Sequence, residues 1–224
     1  DTFEHLGRAR KGAILIFTSE DKMAKTLLST EDGVHCNAWN YCGERMAGGS
    51  LDGSVHIFDS HKDEASQFTC TNKWKAHNGS IVKLVWAPPE YGDVIACCCM
   101  DGTISLWEEI REDTESCEWK LCKCFQDSNV PALDIQFGNC LSGLKLVSAY
   151  ADGHAKIYES LDPLELKRWQ LQAEFPNVSD TVERFGKCSC LTASISWKSS
   201  TSATQQPTFI LGFNSNLPHF NVAK

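Results

Sequence analysis

A short unit that recurs three times at a nearly constant interval restricts the fold of this sequence more than any other feature. Each copy contains an Asp-Gly pair, four further residues, an aromatic residue and an acidic residue. The copies begin at Asp52, Asp101 and Asp152, which lie 49 and 51 residues apart. The glycines and aromatic residues at matching positions are Gly53, Gly102, Gly153, Phe58, Trp107 and Tyr158. Such a period indicates that one supersecondary unit is repeated along the chain.

A second marker lies upstream of each Asp-Gly pair. It is an alternating run that ends in Trp39, Trp86 or Phe137, which precede the corresponding aspartates by 13, 15 and 15 positions. A fourth run ends in Trp197 and is followed by Pro-Thr-Phe-Ile-Leu-Gly-Phe. We count three full copies and a fourth, incomplete one, and we expect the sequence to end before the third strand of that copy.

Each copy has the pattern of a four-stranded antiparallel meander. Apolar and polar residues alternate with the period of a β-strand, as in the last strand of the third copy, where Trp169, Leu171, Ala173 and Phe175 are predicted to share one face. The Asp-Gly pair predicts a type I′ hairpin between the second and third strands. Four short strands every ~50 residues, without a helical period, predict the blades of a β-propeller. An immunoglobulin-like sandwich also has many short strands, but it would not repeat this unit three times.

Composition and charge exclude several classes of function. The net charge of −8 disfavours direct binding to nucleic acid, which requires a basic face. The apolar run from Ala13 to Phe17 is shorter than the core of a secretory signal, and no run approaches the ~20 apolar residues of a membrane span. The 12 cysteines are therefore expected to stay reduced in the cytosol or nucleus.

No residue pattern in the sequence indicates an active site. Cys97, Cys98 and Cys99 are predicted to be buried small side chains, because neighbours in a strand point to opposite faces and cannot converge on one metal ion. The repeated aspartates are interpreted as structural turn residues on separate blades. We find no phosphate-binding loop and no nucleophile motif. The sequence therefore predicts no enzyme activity, no metal and no cofactor.

The second copy resembles the WD-repeat family. A Lys-Ala-His run ending at His77 stands where that family has Gly-His, and Leu-Trp-Glu around Trp107 stands where it has Trp-Asp. The resemblance implies a hydrogen-bonded structural set of His77, Asp101, Cys97 and Trp107, in which a cysteine thiol replaces a stronger hydroxyl donor. Phe58 and Tyr158 replace the tryptophan in the other copies, so the repeat is a degenerate one.

Residues 71–110, with their Trp-Ala-Pro-Pro-Glu-Tyr-Gly and Leu-Trp-Glu-Glu-Ile runs, resemble more narrowly the Seh-type WD-repeat nucleoporins. Residues 162–175 resemble the plant members most closely. The similarity extends from Met23 to the end of the sequence. Residues 1–22 are interpreted as a leader, either an extension that can be disordered or a divergent strand, and we favour the extension. Residues 23–224 would form a partial, open WD-repeat β-propeller, about four blades of a longer one, and we favour this over a closed ring of four. The blades would lie at about 33–75, 76–125, 126–176 and, incompletely, 187–224.

The resemblance implies a structural protein of the nuclear pore complex in the nuclear envelope. Family members are open propellers that accept a blade from an α-solenoid nucleoporin of the Y-shaped outer-ring complex, beside other coat nucleoporins. They support transport of protein and mRNA, and they also act in the GATOR nutrient-signalling complex. Neither nucleic acid nor membrane insertion is expected. The alternative is a generic WD-repeat adaptor that presents peptide partners to a ubiquitin-ligase or signalling assembly.

Overall fold

The protein is built almost entirely from β-strands. The computed structural model describes residues 12–16, 25–30, 33–61, 64–111, 117–126, 129–140, 143–162, 164–176, 193–198, 208–213 and 220–223. A single-turn 3₁₀ helix lies at Pro89–Tyr91, and none of the helical structure in these ranges is long and apolar enough to cross a membrane.

Seventeen strands follow one another along the described chain. They are β1 (Gly12–Ile16), β2 (Lys25–Thr30), β3 (Val34–Trp39), β4 (Arg45–Ser50), β5 (Ser54–His61), β6 (Glu64–Lys75), β7 (Ile81–Trp86), β8 (Val94–Cys99), β9 (Ile104–Arg111), β10 (Cys117–Phe125), β11 (Ala132–Cys140), β12 (Gly143–Tyr150), β13 (Ala155–Ser160), β14 (Trp169–Phe175), β15 (Ala193–Lys198), β16 (Thr208–Phe213) and β17 (Phe220–Ala223).

The strands form five sheets, each a meander of strands consecutive in sequence. Three sheets have four strands, β3 to β6, β7 to β10 and β11 to β14. A two-stranded sheet, β1–β2, precedes them, and a three-stranded sheet, β15–β16–β17, follows them. The predicted all-β class and the predicted four-stranded meander of the three full copies are therefore confirmed. The boundaries of the leader and of the blades stay predictions, and most of residues 1–22 lies outside the described residues.

Two features of the strands differ from expectation. The fourth copy does contain a third strand, because β17 pairs antiparallel with β16. Its Phe-Asn-Val-Ala sequence alternates in polarity but lacks the Asp-Gly marker by which the earlier third strands were recognised. In β14, a register shift between Leu171 and Ala173 interrupts the alternation that was predicted to place four residues on one face. Trp169 belongs to one core cluster, Ala173 and Phe175 pack against another, and Leu171 is 46% exposed.

The chain divides into two compact units, residues 1–81 and 82–224. In the second unit, β12 is buried on both faces because consecutive residues point to opposite sides of a strand. Leu146 belongs to a core cluster with Leu106 and Ile135, whereas the next residue, Val147, belongs to a second cluster with Phe209. Full burial of each such side chain stabilises the fold by about 1.5–3 kcal/mol. These two clusters join the three sheets of this unit.

In the first unit, the sheet of β3 to β6 also has apolar side chains on both faces. Met46 and Phe58 are buried on one face. On the other face, a Cβ atom at Gly49 would approach the side chain of Ile81 to 2.9 Å and the Sγ atom of Cys36 to 2.8 Å. The missing side chain at Gly49 therefore allows Ile81 and Cys36 to pack against the backbone of β4.

Candidate functional site

The three Asp-Gly pairs form equivalent turns, and in each the aspartate is held in place by the residue two positions later. Oδ1 of Asp101 accepts the backbone N–H of Thr103 at 2.9 Å and its hydroxyl at 2.6 Å. Asp52 accepts the backbone N–H and the hydroxyl of Ser54 at 2.9 and 2.8 Å. Partial burial acts to raise the pKa of Asp52, but the bonds from Ser54 and the charges of two nearby lysines outweigh it and lower that pKa.

The third turn follows the same plan with a histidine in place of the hydroxyl residue. The backbone N–H of His154 lies 3.2 Å from Oδ1 of Asp152, and Nδ1 of the ring also contacts that oxygen. The ring of His154 stacks on that of Tyr150, with 4.4 Å between the centroids. All three aspartates are thus turn-forming residues in the structure.

The predicted type I′ turn is wrong. A type I′ turn needs positive φ at both central residues, yet among the described residues only glycines have positive φ. Instead the backbone N–H of the glycine bonds back three residues, as from Gly102 to the carbonyl of Cys99 at 3.0 Å. The φ values of Gly53, Gly102 and Gly153 are 90°, 87° and 86°. This is a three-residue loop that closes on a left-handed glycine, and the aspartate keeps negative φ because its carboxylate binds the next strand.

Glycine is also required at position 53 because the backbone of the segment that follows β6 approaches it closely. Its carbonyl oxygen accepts the N–H groups of Ala76 and His77 at 2.9 and 3.1 Å. A Cβ atom at Gly53 would lie 2.1 Å from the carbonyl oxygen of His77. The turn is therefore locked to the segment that follows β6.

The repeated aromatic residues share a feature that the sequence did not reveal. Opposite each of them, the outermost strand of the sheet has a β-bulge with one extra residue. Phe58 and Tyr158 are each 1% exposed, and Trp107 is half-buried. The extra residues on the outer strands are Thr71, Cys122 and Gln172.

In the first two of these sheets, the extra residue of the bulge is bound directly to the acidic residue that follows the repeated aromatic residue. The hydroxyl of Thr71 donates to Oδ2 of Asp59 at 2.8 Å. The thiol of Cys122 donates to Oε2 of Glu108 at 3.4 Å. Burial and the bond to Glu108 raise the pKa of Cys122 to about 12, so this thiol stays protonated. The acidic residue of the repeat thus holds the outer strand.

In the third sheet a buried lysine makes the same connection. Nζ of Lys145, which is 3% exposed, donates to Glu159 at 2.8 Å and to the side-chain oxygen of Gln172 at 2.6 Å. The bond from Lys145, aided by a second from Gln170, lowers the pKa of Glu159 although partial burial acts to raise it. Sequence reasoning missed this lysine, because a lysine in a strand is normally expected to face solvent.

The structural set implied by the WD resemblance is modified in the second sheet. Nε1 of Trp107 donates to the hydroxyl of Ser105 at 2.8 Å, and Sγ of Cys97 lies 3.2 Å from the same oxygen. Ser105 therefore supplies the hydroxyl that Cys97 lacks, and it was missed although it lies two residues before the tryptophan on the same strand. His77 is buried in the first unit and Asp101 lies in the second, so the complete set stays a prediction.

The run of three cysteines is fully buried in β8, as predicted. Its members point in different directions, since Cys97 faces Ser105 whereas the thiol of Cys98 donates to the carbonyl of Ala132 at 3.6 Å. Cys97 and Cys98 therefore contribute to packing and to hydrogen bonding between strands.

A buried carboxylate connects three sheets of the second unit. Asp134, on β11, accepts the backbone N–H of Ile195 on β15 at 2.7 Å, and its other oxygen lies 3.5 Å from Nζ of Lys83 on β7. Burial raises the pKa of Asp134, and the bonds from Ile195, Lys83 and Ile135 offset this effect only in part. The sequence around Asp134 carries no motif that marks it.

The two-stranded sheet β1–β2 is the candidate interaction edge of the first unit. Its two strands pair antiparallel from Gly12 to Ile16 and from Lys25 to Thr30, and β1 approaches β3 of the next sheet. Each complete sheet of this chain has four strands. A sheet of two strands presents unpaired backbone N–H and C=O groups that an added strand can satisfy.

Comparisons with known proteins agree with this architecture. The model of the family "WD domain, G-beta repeat" matches residues 18–59 and 68–108. In the solved structures, the Saccharomyces cerevisiae protein Sqt1 superposes with a TM-score of 0.63 at 15% identity, over 90% of this chain and 51% of that one. The chain is a WD-repeat protein, and the predicted fold class, a partial WD-repeat β-propeller, is confirmed.

The sequence relatives are more specific than the fold. Protein SEH1 of Arabidopsis thaliana is 48% identical over 202 residues, which are 90% of this chain and 62% of the relative. Nucleoporin SEH1 of Homo sapiens is 34% identical over 194 residues, 84% of this chain and 50% of the relative. The chain thus belongs to the Seh-type WD-repeat nucleoporins and spans less than two thirds of the length of these relatives. Their names agree with the predicted localisation at the nuclear pore complex.

Proposed function

We propose that this chain is a structural, non-catalytic scaffold component of the nuclear pore complex. The observation that carries the proposal is the 48% identity, over 90% of the chain, to a Seh-type protein. In this role it would belong to the Y-shaped outer-ring complex beside other coat nucleoporins and support nucleocytoplasmic transport of protein and mRNA. The hydrogen bonds of the repeat residues support a scaffold, because their polar groups hold turns and strands together.

The proposed mode of assembly is strand donation by an α-solenoid nucleoporin. The two-stranded sheet β1–β2 has half the strands of each complete sheet. Backbone hydrogen bonds to a donated strand would satisfy N–H and C=O groups at the edge of this sheet. The GATOR complex would use the same edge. A protein of either the Y-shaped complex or the GATOR complex would have to supply strands at β1–β2.

Co-purification tests the proposal. The chain is mixed with the solenoid nucleoporin that carries the donor strands, and size-exclusion chromatography shows whether the two migrate as a stoichiometric complex. Hydrogen exchange then locates the contact, with new protection expected at residues 12–16 or 25–30 and unchanged exchange in the outer strand β10. Separate migration of a folded chain would contradict strand donation and favour the generic adaptor. Co-migration without protection of β1 and β2 would place the contact elsewhere.

A further inference from the structure

The most exposed aromatic side chain among the described residues lies in the hairpin turn between β3 and β4. Tyr41 is 83% exposed, and Trp39, two residues earlier, is 43% exposed. We call residues 39–44 the Trp39–Glu44 turn. Tyrosine and tryptophan are the residues most often found at the energetic centres of protein interfaces, because each presents a large rigid surface with few rotatable bonds.

The backbone of the Trp39–Glu44 turn is fixed by its own hydrogen bonds. The side-chain oxygen of Asn40 accepts the N–H groups of Glu44 and Arg45, each at 3.1 Å. The N–H of Asn40 bonds to the carbonyl of Arg45 at 2.9 Å, and Gly43 closes the turn with a φ of 73°. A turn held in this way loses little conformational entropy when a partner binds.

Trp39 is exposed although one side of its ring is packed. Its ring makes an edge-on contact with Phe68, with 5.3 Å between the centroids, and the strand residue opposite it is the buried Met46. The indole is therefore held in one orientation by the apolar cluster beneath it. Its remaining surface faces solvent as a fixed aromatic plane.

The charge of the turn defines which partner fits. Glu44 is exposed, and no hydrogen bond or ion pair engages its carboxylate among the described residues. The adjacent cation cannot neutralise it, because Nε of Arg45 is bound to Oδ1 of Asp59 at 2.7 Å and the arginine side chain is only 12% exposed. A guanidinium or ammonium group is attracted both to the face of an aromatic ring and to a carboxylate. The turn offers two exposed aromatic residues beside a carboxylate that no described residue neutralises.

We propose that the Trp39–Glu44 turn docks a basic segment of a protein partner. An arginine or lysine side chain of that segment lies on the exposed ring of Trp39 or Tyr41 and pairs with the carboxylate of Glu44. The net charge of −8 favours the approach of such a segment. This site does not depend on strand donation at β1–β2, so either proposal can hold without the other.

Fluorine NMR of the full chain labelled with 5-fluorotryptophan tests the proposal. The chain has seven tryptophans, and the Trp39 signal is assigned as the one missing from a Trp39→Phe variant. The probe is an acetylated, amidated Gly-Arg-Gly-Gly-Arg-Gly peptide at up to a few mM, the range of a weak single-site contact. We expect the Trp39 signal to shift with this peptide and not with the matched Gly-Gln-Gly-Gly-Gln-Gly peptide.

Variants separate docking from a general attraction to an acidic protein. Tyr41→Ala and Glu44→Gln should each weaken the apparent affinity at least about threefold. Glu118→Gln removes the same charge from an exposed side chain of β10 and should leave it unchanged. An unmoved Trp39 signal, an equal response to the glutamine peptide, or an equal loss in Glu118→Gln would each overturn the proposal. Thermal melts verify that all variants are folded.

Discussion

The carboxylate of Asp134 accepts the backbone N–H of Ile195 at 2.7 Å, although the two residues lie 61 positions apart in sequence. The same side chain accepts the N–H of Ile135 at 3.0 Å and approaches Lys83. Because Asp134 is only 6% exposed, water cannot replace these bonds when the carboxylate is removed. The sheets β7–β10, β11–β14 and β15–β17 therefore meet at one buried group.

Asp134→Ala is expected to destabilise the second unit by about 1–3 kcal/mol for each N–H group left without an acceptor. Asp134→Asn retains one carbonyl oxygen and should lose about half as much. Urea unfolding measures both changes. The control is Asp162→Ala, because Asp162 also accepts two backbone N–H groups but in an exposed loop where water can replace it. Equal losses in Asp134→Ala and Asp162→Ala would contradict the role of burial.

The repeat could be predicted because it places chemically distinctive residues at constant spacing. Asp101 and Gly102 mark a turn, and Trp107 marks the strand that follows, so the four-stranded unit could be predicted from the sequence. The turn type could not be predicted from the sequence, because an Asp-Gly pair occurs in two different hairpin loops. The bond that the backbone N–H of Thr103 donates to Asp101 decides between them, and it is visible only in the structure.

The bulges and the contacts between sheets carried no such marker. Thr71, Cys122 and Gln172 occupy the same structural position but share no side-chain chemistry. Asp134 resembles any polar residue of an alternating strand until Ile195 is brought beside it. The periodicity of the strands within one sheet can be read from the sequence. The contacts between residues of different sheets depend on packing, which no local sequence pattern encodes.

Gly53 and Gly43 offer a matched test of backbone approach. Both have positive φ, at 90° and 73°, so alanine at either position carries a similar backbone strain of about 1–2 kcal/mol. A Cβ atom at Gly53 would also collide with the carbonyl oxygen of His77, whereas one at Gly43 meets nothing within 4 Å. Gly53→Ala should therefore lower the free energy of unfolding much more than Gly43→Ala, as measured in urea. Equal effects would show that the segment after β6 moves away without cost.

The cysteines should differ in their reactivity toward iodoacetamide. Burial and the bond to Glu108 raise the pKa of Cys122 to about 12, so almost no thiolate exists at pH 8. Cys42 is exposed in the turn between β3 and β4. Peptide mass spectrometry should show Cys42 modified at least tenfold faster than Cys122, and the difference should vanish in urea. Rapid modification of Cys122 in the folded chain would contradict its bond to Glu108.

His56 should make the first unit sensitive to mild acid. Its ring is 3% exposed, and neither ring nitrogen has a hydrogen-bond partner among the described residues. Burial, followed by the charge of Lys73, lowers the pKa of His56 below 6.5, while Asp52 acts weakly in the other direction. Between the folded and unfolded pKa values the unfolded chain binds more protons, so stability decreases as the pH falls from 6.5 through the folded pKa.

The contribution of His56 to the pH dependence of the free energy of unfolding cannot exceed about 1.4 kcal/mol per pH unit. Urea unfolding of wild type and His56→Gln between pH 8 and pH 5 measures it. The variant should lose less stability over this range than wild type, whatever its stability at pH 8. His35→Gln, which replaces an exposed histidine of β3, should keep the wild-type slope. Parallel curves for wild type and His56→Gln would mean that the ring is protonated equally in both states, which its burial beside Lys73 opposes.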